Sequence, residues 1–171
     1  FEIGTIFLSQ LPDVLRCHKR VLSGGAFGPR EGNWPGSDGI FDFFDAKGVV
    51  ERVLEFLRAR DCRFESGEIS FLQPGRTACV FLGDRQVGIL GEAKAEVAEA
   101  HGLQKRTILF ELDLDALHRG SREDETGFQA PSVFPPVPRD LALIVDKSVP
   151  AAALEEAIKK SAGKLLESCH L

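Results

Sequence analysis

The stretch TACVFLGDRQVGILGE, residues 77–92, contains two apolar runs separated by Gly83 and Asp84. A Gly-Asp pair between two apolar runs is typical of a tight hairpin turn, so this stretch predicts two adjacent antiparallel strands. The first run, residues 77–82, is apolar at both odd and even positions. Because successive side chains of a strand point to opposite faces, we expect this strand to be covered on both sides.

Further strands are predicted on both sides of the hairpin. They are FEIGTIFL (1–8), VLRCHKRVL (14–22) and the first half of RTILFELDLDALHRG (106–120). The segment SGGAFGPREGNWPGSDG (23–39) is rich in Gly and Pro and predicts a long loop. It does not match a phosphate-binding loop, because neither a Lys-Ser or Lys-Thr pair nor a helix follows it directly.

Two helices are predicted before residue 120. The first is predicted over residues 40–61, IFDFFDAKGVVERVLEFLRARD, where a short aromatic strand would enter a helix capped by Asp45. The apolar residues of this helix have the spacing of one buried face: Val50, Val53, Leu54 and Leu57. KAEVAEAHGL (94–103) predicts a short helix that ends at Gly102. Residues 1–120 are therefore predicted to form an α+β domain, an antiparallel sheet with packed helices.

The composition changes abruptly after Gly120. SREDETGFQAPSVFPPVP (121–138) is first charged and then rich in Pro, which predicts a linker over residues 121–133. Behind it, RDLALIVD (139–146) predicts a strand, and VPAAALEEAIKKSAG (149–163) predicts a helix closed by Gly163. KLLESCHL (164–171) would begin another strand. We therefore expect residues 134–171 to be the first part of a second, truncated domain.

Charge and composition narrow the class of protein. Apolar residues make up 43% of the 171 residues and charged residues 27%, as in a soluble globular protein. No apolar run approaches the roughly 20 residues of a membrane-spanning helix. The net charge of −5, and six Lys or Arg against eight Asp or Glu in residues 121–171, argue against a general electrostatic attraction to nucleic acid.

The four cysteines do not suggest a disulfide framework or a metal site. Cys17, Cys62, Cys79 and Cys169 form no closely spaced pair, so we interpret them as reduced thiols. Cys17 and Cys169 are each followed by a histidine, His18 and His170. Neighbouring residues on a strand point to opposite faces, so neither pair is expected to bind one ion.

Six stretches form a recognisable series when they are taken in chain order: FEIGTIF, FDFFDAKGVVE, PGRTACVFLG, VGILGE, FELDLDAL and FPPVPRDLALIVDKSVPAAALEEAIKKSAGKLLES. Each motif is weak alone, but the series covers nearly the whole chain. It resembles the C-terminal part of the beta subunits of bacterial phenylalanyl-tRNA synthetases. Residues 11–39 match this pattern only loosely.

The resemblance implies a fold for each part. Residues 1–120 would form a non-catalytic domain that is similar to the core of class II synthetases. Residues 134–171 would open an anticodon-binding domain of ferredoxin-like fold, βαββαβ, of which the chain supplies β, α and the beginning of the second β. The resemblance also implies a cytoplasmic enzyme of two alpha and two beta chains that attaches phenylalanine to its tRNA with ATP and Mg²⁺. No membrane partner is implied.

Class II synthetases hold ATP partly at a Gly-rich junction between a strand and a helix that ends in Arg. The corresponding stretch here is FELDLDAL (110–117), which contains neither Gly nor Arg. It offers Glu111, Asp113 and Asp115, predicted to alternate along one strand face, and these carboxylates would repel a triphosphate. A metal site and a salt-bridged edge both remain open for them, and the second is favoured. We predict a scaffold without catalytic, metal-binding or cofactor-binding residues.

Five cations of the second domain are candidates for phosphate contacts with tRNA: Arg139, Lys147, Lys159, Lys160 and Lys164. A solvated helix face or strand end is the alternative for each of them.

Two other functions remain to be distinguished from the synthetase interpretation. An independent enzyme that uses the Cys17-His18 region or the acidic strand is disfavoured, because the spacing assembles no set of nucleophile, base and orienting group. A stand-alone RNA-binding or interaction module is disfavoured by the negative charge and by the few aromatic residues near the C-terminus, Phe128 and Phe134.

Overall fold

One antiparallel sheet organises the first part of the chain in the computed structural model of the protein. Within the described residues the sheet has six strands in the order β1-β2-β6-β5-β4-β3, and every neighbouring pair is antiparallel. The strands are β1 (Glu2–Phe7), β2 (His18–Ala26), β3 (Cys62–Ser66), β4 (Leu72–Leu82), β5 (Arg85–Ala93) and β6 (Ile108–Asp113). The predicted α+β class with an antiparallel sheet is therefore confirmed.

The structure describes residues 1–8, 18–30, 39–59, 61–103, 106–120 and 134–170. The chain divides into two units, residues 1–126 and 127–171. The sheet belongs to the first unit, whose described residues also form three helices: α1 (Phe43–Phe56), α2 (Ala95–Ala100) and α3 (Leu114–Gly120). The second unit contains α4 (Ala151–Ala162), which is followed by a short 3-10 helix over Gly163–Leu165.

The hairpin predicted from residues 77–92 is present as β4 and β5. Leu82 pairs with Arg85, so Gly83 and Asp84 form the connecting turn. Gly83 has a φ of 58°, which glycine adopts without the steric cost that a Cβ imposes. Val80 is completely buried and Ala78 nearly so, and Thr77 on the other face is buried as well. The expected cover on both faces of β4 is thus confirmed for this part of the strand.

The predicted loop over residues 23–39 begins too early. Ser23, Gly24, Gly25 and Ala26 belong to β2, where they pair with β6. A Cβ on Gly24 would lie 2.5 Å from the ring of Phe110, so glycine at this position lets that ring pack against the strand. The glycines thus serve close packing within a sheet, and residues 31–38 of the predicted loop lie outside the described residues.

The start of α1 differs from the prediction. Asp42 is the N-cap, because its Oδ1 accepts the backbone N–H groups of Phe44 at 2.8 Å and Asp45 at 3.1 Å. In the opposite direction, Oδ2 of Asp45 accepts the backbone N–H of Asp42 at 2.8 Å. This reciprocal capping box starts the helix at Phe43, so the predicted aromatic strand over these residues is wrong and Asp45 is not the cap.

The core lies between the sheet and the helices α1 and α3. Its buried residues come from both helices and four strands: Leu22, Val50, Leu54, Val80, Val87, Leu112, Ala116 and Leu117. The predicted apolar face of α1 is confirmed, since Val53 and Leu57 also pack against this cluster. A second cluster contains Ala46, Leu90 and Ile108. The predicted end of α2 is likewise present, with Gly102 at a φ of 64°.

The second unit contains the predicted helix, but its described residues contain neither the predicted strand over 139–146 nor the predicted beginning of a strand over 164–171. Pro150 precedes α4 as its N-cap, and Gly163 closes the helix at a φ of 58°. Residues 139–146 carry no strand, and their side chains are exposed; Ile144, for example, is fully accessible. An extended segment becomes a strand only by pairing, and the described residues of this unit provide no second strand. The prediction of a strand over 139–146 is therefore wrong for this structure.

Candidate functional site

The acidic junction between β6 and α3 is the first candidate site. Glu111 and Asp113 lie on β6, and Asp115 lies in the first turn of α3. The prediction that all three carboxylates share one strand face is therefore wrong for Asp115. The helix begins before Asp115 because Oδ1 of Asp113 accepts the backbone N–H of Ala116 at 2.8 Å, which satisfies a free donor of the first turn.

Arg20 on β2 binds Asp115 through two donors. Its backbone N–H lies 2.8 Å from Oδ2, and its Nε lies 2.9 Å from Oδ1. The backbone hydrogen bond first, and then the guanidinium hydrogen bond, hold the pKa of Asp115 below its usual value. These contacts fasten the start of α3 to the second strand of the sheet.

The other two carboxylates also face cations. Nζ of Lys19 lies 3.9 Å from Oε1 of Glu111 and 3.9 Å from Oδ2 of Asp113. The guanidinium of Arg85 on β5 lies 3.9 Å from Oδ2 of Asp113 as well. These distances are longer than hydrogen bonds, and each pair is worth little alone. Their arrangement supports the ion-paired interpretation of the junction, with cations drawn from both neighbouring strands.

A second ion-paired cluster lies at the start of α1. Nε of Arg30 donates to Oδ2 of Asp45 at 2.8 Å, and its Nη2 donates to Oδ2 of Asp42 at 3.0 Å. Burial raises the pKa of Asp45, but the Asp42 backbone N–H and Arg30 outweigh that effect and leave the pKa below its usual value. The contact joins the segment after β2 to the helix, so this cluster serves a structural purpose.

Thiols and histidines do not assemble a site among the described residues, which exclude Cys17. The His18 ring lies 6.4 Å from the ring of Phe7, Cys169 is half-buried and His170 is exposed. Burial raises the pKa of the Cys62 thiol, which keeps it in the unreactive protonated form. The described parts of the chain contain no group of three or more His, Cys, Asp or Glu placed to hold a metal ion.

The five predicted tRNA contacts all lie in the second unit and are exposed. Lys159 and Lys160 lie in the last turn of α4, and Lys164 lies in the 3-10 helix behind it. Arg139 and Lys147 lie before the helix, and Nη1 of Arg139 donates to the carbonyl of Pro138 at 3.0 Å. The structure thus brings three of the five cations to one helix end, where they also complement the helix dipole.

Sequence reasoning missed the partners of the acidic junction. Arg20 and Asp115 are 95 residues apart, so no spacing rule connects them. The pairing of β2 with β6 places Val21 opposite Asp113, and it thereby brings Arg20, the neighbour of Val21, close to the start of α3. This strand pairing is the signal that could have identified the contact.

The fold and these sites define the class of protein: an α+β domain with an ion-paired junction, followed by a second unit with a cationic helix end. In keeping with this class, the family model described as "Phenylalanyl tRNA synthetase beta chain CLM domain" matches residues 1–114. A second family model, "Ferredoxin-fold anticodon binding domain", matches residues 132–171. The chain belongs to the phenylalanyl-tRNA synthetase beta chain family.

Curated relatives agree with this family. A phenylalanine–tRNA ligase beta subunit of Staphylococcus saprophyticus is 37% identical over 172 aligned residues, which cover this whole chain. The protein of the same name from Bacillus subtilis is 34% identical over 98% of this chain. The chain spans 21% of the length of each of these relatives. Among the helices of the described residues, none is long and apolar enough to cross a membrane.

Proposed function

We propose that the chain acts within a phenylalanine–tRNA ligase as a non-catalytic scaffold and as part of a tRNA-binding module. The observation that carries this proposal is the pair of family matches in series, one over each unit of the chain. We further propose the division into a core-like domain over 1–120, a linker over 121–133 and an anticodon-binding part over 134–171. The core-like domain would be related to the class II catalytic fold.

In this proposal the intact enzyme attaches phenylalanine to its tRNA with ATP and Mg²⁺. It would contain two alpha and two beta chains and work in the cytoplasm. The nucleotide and the metal would bind elsewhere in the enzyme, because residues 110–117 do not fit a triphosphate. These residues include no Gly and no Arg, and a triphosphate there would be repelled by the carboxylates of Glu111 and Asp113. The neighbouring cations, Lys19 and Arg85, already lie beside these carboxylates.

The tRNA contribution would come from Arg139, Lys147, Lys159, Lys160 and Lys164. Residues 134–171 balance five Lys or Arg with five Asp or Glu, so few counterions could be released on binding by this part alone. We expect the isolated chain to bind tRNA negligibly at physiological salt. Micromolar binding with a steep dependence on salt would contradict this expectation.

Charge reversal in the intact enzyme tests which cations contact phosphate. Reversal of Lys159, Lys160 and Lys164 to Glu should weaken tRNA binding and reduce the salt slope by about 0.9 or less for each phosphate that is no longer neutralised. Reversal of Lys94, which lies in the first unit before α2, is the matched control and should change neither quantity. Equal effects of the control and the triple variant would contradict the assignment.

Association with an alpha subunit tests the scaffold role. The purified chain is mixed with the alpha subunit of a bacterial phenylalanine–tRNA ligase and separated by size-exclusion chromatography, with serum albumin as the control partner. We expect co-elution with the alpha subunit only. Separate elution, together with turnover of a small substrate by the chain alone, would favour an independent enzyme.

A further inference from the structure

The face of the sheet opposite α1 and α3 carries a cavity of about 480 Å³. In the register of β5 and β6, the pairs Gly88–Leu112 and Leu90–Phe110 belong to the helix-covered face, where Leu112 and Leu90 lie in the core. The alternate pairs, Ile89–Glu111 and Gly91–Leu109, therefore face the other side. Of these residues, Ile89, Leu109 and Glu111 line the cavity, whose volume is typical of small-molecule sites.

Small residues create the floor of this cavity. On β2, Ser23 lies opposite Glu111 and Gly25 lies opposite Leu109, so the strand contributes little side-chain volume there. At Gly91 the space is already filled, because a Cβ would lie 3.0 Å from Cδ1 of Leu72. Leu72 thereby forms one wall of the cavity. The cavity shares Glu111 with the acidic junction, whereas Asp113 and Asp115 do not line it.

The apolar residues and the acidic residues that line the cavity would contact different parts of a ligand. Phe71, Leu72, Ile89 and Leu109 supply apolar surface, and Phe1 lies at the rim. Glu2 and Glu111 also line the cavity, and they are the acidic residues of its lining. The closest cation to Glu111 in the described residues is Lys19 at 3.9 Å, which is longer than a hydrogen bond and leaves the carboxylate free to accept one.

We propose that this cavity binds a small protonated amine with an apolar body. The apolar body would pack against Phe71, Ile89 and Leu109, and the ammonium group would donate to Glu111 with Glu2 nearby. Anions such as carboxylates and phosphates would be repelled by the same two side chains. This inference goes beyond the proposed function, and it stands or falls separately from the tRNA and alpha-subunit assignments.

Three probes of similar shape test the proposal by NMR of the full 171-residue chain. They are 2-phenylethylamine, 2-phenylethanol and 3-phenylpropionate, followed through the methyl signals of Leu72, Ile89 and Leu109. At about pH 8.5 a primary amine with a lysine-like pKa of about 10.4 stays protonated.

The expected result is saturable shifts of these methyl signals with the amine, weaker shifts with the alcohol and none with the propionate. Shifts of equal size with the propionate, or no shift with the amine at about 10 mM, a concentration well above a millimolar dissociation constant, would overturn the proposal.

Two variants and one control extend the test. Glu111→Gln should weaken amine binding about three- to tenfold, a modest factor because the carboxylate is partly exposed to solvent. Ser23→Phe should fill the cavity and abolish the shifts. Glu65→Gln removes a carboxylate from β3, outside the cavity, and should leave the affinity unchanged. Unchanged binding by both cavity variants would overturn the proposal; if either variant fails to fold, the probe series on the unaltered chain decides.

Discussion

Gly88 is the position where one added methyl group tests the pairing of β5 with β6 most sharply. It lies opposite Leu112, which is completely buried. A Cβ at residue 88 would lie 2.5 Å from Cδ2 of Leu112 and 2.7 Å from the carbonyl oxygen of Glu111. Favourable contacts between carbon atoms are about 3.5–4.0 Å, so the overlap is about 1 Å. The leucine can adjust its rotamer, but the backbone oxygen can move only if the two strands separate.

We expect Gly88→Ala to lower the free energy of unfolding by about 1–3 kcal/mol, the usual cost of overpacking a core. Gly48→Ala is the matched control, because Gly48 lies inside α1 and a Cβ there meets nothing within 4 Å. Alanine favours a helix over glycine by about 0.5–1 kcal/mol, so this variant should be more stable. Urea denaturation followed by far-UV circular dichroism measures both. A Gly88→Ala chain as stable as the original would refute the β5–β6 packing described here.

Three further predictions concern single features of the structure. Phe43→Ala should destabilise the chain by about 1–3 kcal/mol in urea denaturation, because Phe43 packs against the second core cluster. Phe44 is 74% exposed, so Phe44→Ala should change the stability by less than about 0.5 kcal/mol. A larger loss for Phe44→Ala than for Phe43→Ala would show that α1 is rotated. The lowered pKa of Asp115 implies stability that is fully present above the ordinary value of 3.8 and is lost as the pH falls through the lower folded value. In a carboxyl-carbon NMR titration, Arg20→Gln should remove only part of this lowering, since the backbone donor remains; a return to 3.8 would contradict the backbone contact. Amide protons of residues 141–145 should exchange within about tenfold of an unstructured peptide in the isolated chain, and strong protection would show that this segment is paired.

Local sequence patterns predicted the elements whose cause is local. The turn at Gly83-Asp84 and the apolar face of α1 follow from residues that are close in the chain, and both are present. The start of α1 was misplaced because Asp42 and Asp45 are three residues apart and each is a suitable cap. Only the geometry, in which each side chain accepts from the other's backbone, shows that Asp42 is the cap.

Features that depend on pairing between distant strands could not be predicted. The glycines at 24 and 25 suggest a loop when the chain is read locally, and their place in β2 depends on Phe110 and Leu109 across the ladder. The opposite error occurred at 139–146, where a good strand pattern has no partner among the described residues. The cations that neutralise the acidic junction come from β2 and β5, so its character also emerges only in the folded sheet.

Phenylalanine-dependent exchange of pyrophosphate into ATP tests the proposed non-catalytic scaffold role most directly. The assay compares the purified chain, a mock preparation and an intact phenylalanine–tRNA ligase as the positive control. Because the junction over residues 110–117 presents ion-paired carboxylates in place of glycine and arginine, we predict that the chain gives the same signal as the mock preparation. Exchange above that level, abolished by a substitution in the β6–α3 junction such as Asp113→Asn, would contradict the account.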